Sequence, residues 1–113
     1  MSVVRLDGGL FFATAEALEE RIRGLTESAR PPHAIVLDLE GVDFIDSQGA
    51  SKLRDLHDLT RADGVALRLA RVKPGVLNVL RADGLVDLIG ADNIHGNVDR
   101  AISAQLTSER RKD

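Results

Sequence analysis

Apolar residues along this chain change their spacing repeatedly, and each change marks an element. Val3-Val4-Arg5-Leu6 and Leu10-Phe11-Phe12 are two short strand-like runs around Asp7-Gly8-Gly9, a turn sequence that predicts a hairpin because glycine tolerates positive φ. Thr14 stands where an N-cap belongs, with Glu16 in the first turn, and Leu18, Ile22 and Leu25 recur at helical spacing ahead of Pro31-Pro32. Ile35 to Leu39 is an apolar run broken only by Asp38, which reads as a strand buried in a sheet. Gly41 and Asp43 supply turn chemistry, Phe44 and Ile45 return to the core, and Asp46-Ser47 offers an N-cap. Leu53, Leu56, Leu59 and Thr60 then lie along one side of a helix, with Arg54, Asp55, Asp58 and Arg61 projecting from the other.

Further along, Val65 to Ala70 reads as a second buried strand, and Pro74 sits well in the first turn of a short helix carrying Val76, Leu77, Val79 and Leu80. Asp83-Gly84 ends that helix through a glycine C-cap, Leu85 to Ile89 reads as a short edge strand, and Asn97 caps a last helix with Val98, Ala101, Ile102 and Leu106 on its apolar side. The order is hairpin, helix, strand, helix, strand, helix, strand, helix. Such alternation needs crossover connections, hence mostly parallel pairing with helices laid on the sheet. The expected core is Val36, Leu37, Leu39, Phe44, Ile45, Leu53, Leu67 and Leu69. The length of 113 residues suits one domain, residues 3–107 forming its body and 108–113 a flexible basic tail around Arg110-Arg111-Lys112.

Composition narrows the function classes. No cysteine means no disulfide, thiolate metal site or cysteine nucleophile. No apolar run approaches the ~20 residues of a membrane span, and Met1-Ser2 leads directly into the strand-like VVRL, so no signal peptide is expected. A net charge of -3 with interspersed signs, and three phenylalanines without Trp or Tyr, point away from nucleic acid. His33, His57 and His95 show no ligand spacing; His57 borders an apolar helix face, and the other two fall in loops. Asp38, Asp43 and Asp46 are explained by strand faces and turn roles rather than by a metal site. Neither GxSxG nor GxxxxGK[ST] occurs, and no enzyme activity is expected.

The stretch with most functional promise is the start of the second helix: Asp46, Ser47, Gln48, Gly49 and Ser51. Gly49 leaves room beside the unpaired N–H groups of a helix start, where a partner chain or an anion can approach. Alternatively Asp46-Ser47 only caps and Gly49 only permits tight packing, and both readings stand at this point. Arg54, Asp55, Asp58 and Arg61 are the candidate partner surface on the same helix.

VLDLEGVDFIDSQGASKL resembles the signature of STAS domains, found in anti-sigma factor antagonists and at the cytoplasmic end of SulP-type anion transporters. The resemblance implies an α/β STAS fold: a mostly parallel, mixed sheet with an N-terminal hairpin and about four packed helices. RLDGGLFFATAEAL and LARVKPGVLNVLRADGLVDLIG are similar to the SulP branch. In the anti-sigma branch a partner kinase phosphorylates the serine just before the glycine; here that position is Gln48, which has no hydroxyl. The resemblance therefore implies a non-catalytic regulatory domain of a sulfate or related anion transporter, on the cytoplasmic side of an inner or plasma membrane. Its expected partners are the membrane-embedded transporter core, with spans lying upstream, and other regulatory proteins. The alternative it allows is a free-standing regulator that binds a switch kinase or anti-sigma factor. No cofactor is required, while GDP or GTP could bind weakly at the helix start between Gln48 and Ser51.

Overall fold

The computed structural model describes residues 1–10 and 12–111. Its elements run β1 (Ser2–Leu10), α1 (Phe12–Thr26), β2 (Ala34–Ile45), α2 (Ser47–Ala62), β3 (Ala66–Ala70), α3 (Pro74–Ala82), α4 (Leu85–Ile89), a 3₁₀ turn (Ala91–Asn93), β4 (Ile94–His95) and α5 (Val98–Arg111). The sheet order is β1-β2-β3-β4, and every pairing is parallel. Right-handed crossovers between successive neighbours carry their helices to the same face. Accordingly α1 to α4 share one core with Val4, Ile35, Leu37, Leu39, Leu67 and Leu69, whereas Val36 and Ala70 point the other way, against Ala101 of α5. Cover on both faces explains why Ala34 to Leu39 are all buried.

The N-terminal hairpin is replaced by one strand. β1 runs beside β2 from Ser2 opposite Ile35 to Leu10 opposite Ile45, so the sheet is all parallel rather than mixed. Asp7-Gly8-Gly9 does not reverse the chain: β2, twelve residues long, offers a pairing partner along the whole of β1. Gly8 keeps its positive φ of 85° as part of an irregular strand. The far end of the expected return strand, Phe11, lies outside the described residues. α1 begins at Phe12, which places Thr14 inside its first turn instead of at the cap.

Two register shifts between β1 and β2 also correct the core. Arg5 pairs with Asp38 but Asp7 with Gly41, and Gly8 pairs with Val42 but Gly9 with Phe44. Each shift adds one residue to β2 and reverses its alternation. Burial therefore falls on Leu39, Val42 and Ile45, and Phe44, expected inside, is 53% exposed.

Leu85 to Ile89 is helical, not an edge strand, bringing the α-helices among the described residues to five. Gly84 ends α3 with φ 75°, as the glycine-cap pattern predicts, and the chain immediately turns again. Leu85 and Ile89, four apart, enter the main core from one side of α4. The edge strand is instead the two-residue β4. In α5, Asn97 Oδ1 accepts from the Arg100 amide at 2.8 Å, the expected cap. Ala101 is buried as expected, but Leu106 is 45% exposed and Gln105 takes the inward position. α5 continues to Arg111, so residues 108–111 form its last turn where a flexible tail was expected, and residues 112–113 of that tail lie outside the described residues.

Candidate functional site

Ile45 ends β2 at the C-terminal edge of the parallel sheet, the edge at which α/β folds present their sites. Asp46, extended at φ -95° and ψ 177°, is the N-cap of α2, and its Oδ1 accepts the Gly49 N–H at 2.7 Å. Ser47, expected to share the cap, is the first helical residue, exposed, because the shorter reach to the third amide belongs to Asp46. Gly49 is buried, and its amide is committed to the cap. Asp46→Ala is thus expected to cost about 0.5–2 kcal/mol, and Ser47→Ala no more than about 0.5 kcal/mol, by urea denaturation.

The other residues sort by position on the helix. Gln48, Ser51 and Asp55, with Lys52, line one shallow hollow of about 170 Å³. Lys52 Nζ reaches Glu19 Oε2 of α1 at 3.1 Å, and Glu19 also holds Arg23 at 2.9 Å. Hydrogen bonds from Arg23 and then Lys52 hold the Glu19 carboxyl below its ordinary pKa, against the effect of burial. Asp58 and Arg61 are exposed beside this stripe, Asp58 lying 3.2 Å from His57 Nδ1. Arg54 Nη2 donates to the Asp83 carbonyl and ties α2 to the turn after α3. The site thus contains exposed Ser47, Gln48, Ser51 and Asp55 at one end of α2, flanked by Asp58 and Arg61.

Two polar clusters were not singled out from the sequence. The Asp38 carboxylate, nearly buried on the α5 face, accepts from Arg71 Nε at 3.1 Å and Nη2 at 2.5 Å, and from the Glu40 amide at 3.1 Å. Arg5 adds a charge at 4.0 Å, and Arg71 also pairs with Glu40. Arg71 has φ 56°, the one left-handed non-glycine residue among those described, and its amide donates to the His95 carbonyl at 3.1 Å. Asp43 pairs separately with Lys73, so Asp38, Asp43 and Asp46 serve three different tasks. The second cluster joins Arg68, His95 and Gln105. His95 Nε2 lies 3.1 Å from Arg68 Nη1; burial first, then the Arg68 charge, lowers the His95 pKa against the influence of Asp92, favouring the neutral ring as acceptor. The charge breaking an apolar strand was visible at Asp38 and Arg68, but partners more than twenty residues away were not.

A family model described as STAS domain matches residues 1–101. The chain belongs to the STAS domain family. Among its relatives are Sulfate transporter 1.3 of Arabidopsis thaliana, 32% identical over 110 residues, and High affinity sulfate transporter 2 of Stylosanthes hamata, 30% identical over 112 residues. The matches take in 89% and 91% of this STAS domain but only 17% of each transporter. A solved SulP transporter STAS domain from Vibrio cholerae, 28% identical, superposes with a TM-score of 0.83 over 97% of this chain and 84% of its own. The all-parallel sheet and five helices described above are therefore this family's α/β architecture.

Proposed function

We propose that this STAS domain is the cytoplasmic regulatory domain of a SulP-type anion transporter and acts, without catalysis, by contact with the membrane-embedded transporter core. The observation that carries the reading is the match of nearly the whole domain to a small part of two sulfate transporters. No described helix is long and apolar enough to cross a membrane, so conduction is assigned to other parts of a longer protein. Sulfate is the proposed anion through those relatives alone.

The contact surface proposed is the exposed start of α2, with Ser47, Gln48, Ser51 and Asp55. Gln48 is exposed and has no hydroxyl, which disfavours a serine-phosphorylation switch at that position. The guanine-nucleotide expectation attaches to this same helix start. The adjoining hollow of about 170 Å³, lined by Asp55 as well as Lys52, is small for a nucleotide and gives that expectation no added support.

Gln48→Glu tests the surface. At an exposed position the substitution should leave domain stability within about 0.5 kcal/mol of wild type. In the complete transporter it should lower anion uptake at equal expression, because a charge buried unpaired at an interface is costly. Unchanged uptake in a normally expressed variant would leave the α2 start with only a structural role.

A further inference from the structure

Arg68 enters the sheet on the α5 face, opposite Val36, and is 6% exposed. Its Nε donates to Gln105 Oε1 at 3.0 Å; Nη1 donates to the Asp92 carbonyl at 3.5 Å and to His95 Nε2 at 3.1 Å. All three acceptors are neutral, and among the described residues no carboxylate lies within ion-pair distance of the guanidinium. Nη2 has no acceptor among them either. Since no fully buried side-chain nitrogen is left without a partner, Nη2 must reach open space.

Arg68 lines a groove of about 680 Å³ between the start of β3 and α5, together with His33, Asn93, Gln105, Ser108 and Glu109. It adjoins a second hollow of about 480 Å³ that shares Arg68, Asn93 and Ser108. A buried guanidinium with only neutral partners is disfavoured until a counter-charge arrives, and burial lowers the Arg68 pKa accordingly. Gln105 and His95 fix two arms of the guanidinium fork, which leaves Nη2 as the arm with hydrogen-bonding capacity to spare. Glu109 opposes an incoming anion, but it is occupied by Gln105 Nε2 at 3.4 Å and faces His33 Nδ1 at 3.6 Å.

We propose that this groove binds a small oxyanion of the sulfate or phosphate type, received by Arg68 Nη2 with the Ser108 hydroxyl beside it. The site lies on the α5 side of the sheet and does not depend on the transporter reading. Failure of an uptake experiment at α2 would leave it standing, and the reverse.

The test is a titration of the 113-residue chain with sodium sulfate at constant ionic strength, chloride making up the balance, followed by amide and arginine Nε–H shifts. Phosphate and acetate are run in parallel. Saturable shifts at Arg68, Asn93 and Ser108 with sulfate or phosphate are expected. Glu109→Gln, which removes the opposing charge, should tighten binding severalfold. Ser108→Glu, which supplies an internal counter-charge while keeping Arg68, should weaken it by about tenfold or more. Shifts that grow linearly and spread over the surface arginines would overturn the site, as would affinities unchanged in both variants. Saturation by acetate alone would replace the oxyanion with a carboxylate ligand and overturn the proposal as stated.

Discussion

Leu39→Ala should destabilise the domain by about 2–5 kcal/mol, the range for a leucine truncated at a fully buried site. Leu39 is 1% exposed, directly before the first extra residue in β2, and packs in the core shared with α1 to α4. The surrounding wall is made by β1 to β3 and α1 to α4, so collapse around the cavity is restricted. Urea denaturation should show a lower midpoint with an unchanged slope. Phe44→Ala, five residues on, is the comparison: at 53% exposure it should cost about 1 kcal/mol or less. A large loss at Phe44 would mean that the second register shift does not turn that side chain outward.

Asp38→Asn should cost about 1.5–3 kcal/mol at neutral pH, the usual worth of hydrogen bonds to a charged acceptor. Asparagine keeps the shape but removes the charge that holds both arms of Arg71. The Arg71 hydrogen bonds, then the Glu40 amide, then the charges of Arg71 and Arg5 keep the Asp38 carboxyl below its ordinary value of 3.8, overcoming burial. A folded-state pKa lowered in this way adds stability that is fully present above the unfolded value and disappears as pH falls through the folded one. The gap between wild type and Asp38→Asn should accordingly hold steady near neutrality and close as pH drops below about 3.8. Urea midpoints measured down a pH series check both the size and the sign. A gap that persists in strong acid would assign the loss to packing instead of charge.

The central strand, the second helix and its cap region were legible in the sequence because their information is local. Ile35 and Val36 are β-branched and the run is followed by turn residues, Asp46 stands just before a new periodicity, and the leucines of α2 keep helical spacing over several turns. The N-terminal reading failed because Asp7-Gly8-Gly9 satisfies a hairpin turn as well as an irregular strand. What decided between them was a partner strand some thirty residues away. Leu85 to Ile89 failed for the opposite reason: five apolar-rich residues carry too little periodicity to separate strand from helix. At the candidate site, exposure of Gln48 and Ser51 followed from the helix pattern, while the hydrogen bond from Arg54 to the Asp83 carbonyl needed the fold of α3 and α4. Arg68 stood out as a charge in an apolar run, but its neutral surroundings arise only when α5 closes over the sheet.

Replacing a hairpin by a parallel edge strand has a kinetic consequence. Ser2 pairs with Ile35, Ala34 with Ala66 and Leu69 with Ile94, so no two strands of this sheet can meet without first closing a loop that contains a helix. A hairpin would have supplied one local, fast-forming contact within the first dozen residues. Without it the ordering entropy of each crossover must be met before any ladder bond rewards it, and no strand pair can serve as a self-sufficient seed. A nucleus is then expected to combine a helix with the strands on either side of it, and β2, the longest strand and neighbour to both β1 and β3, is the one expected to be common to the first two crossovers.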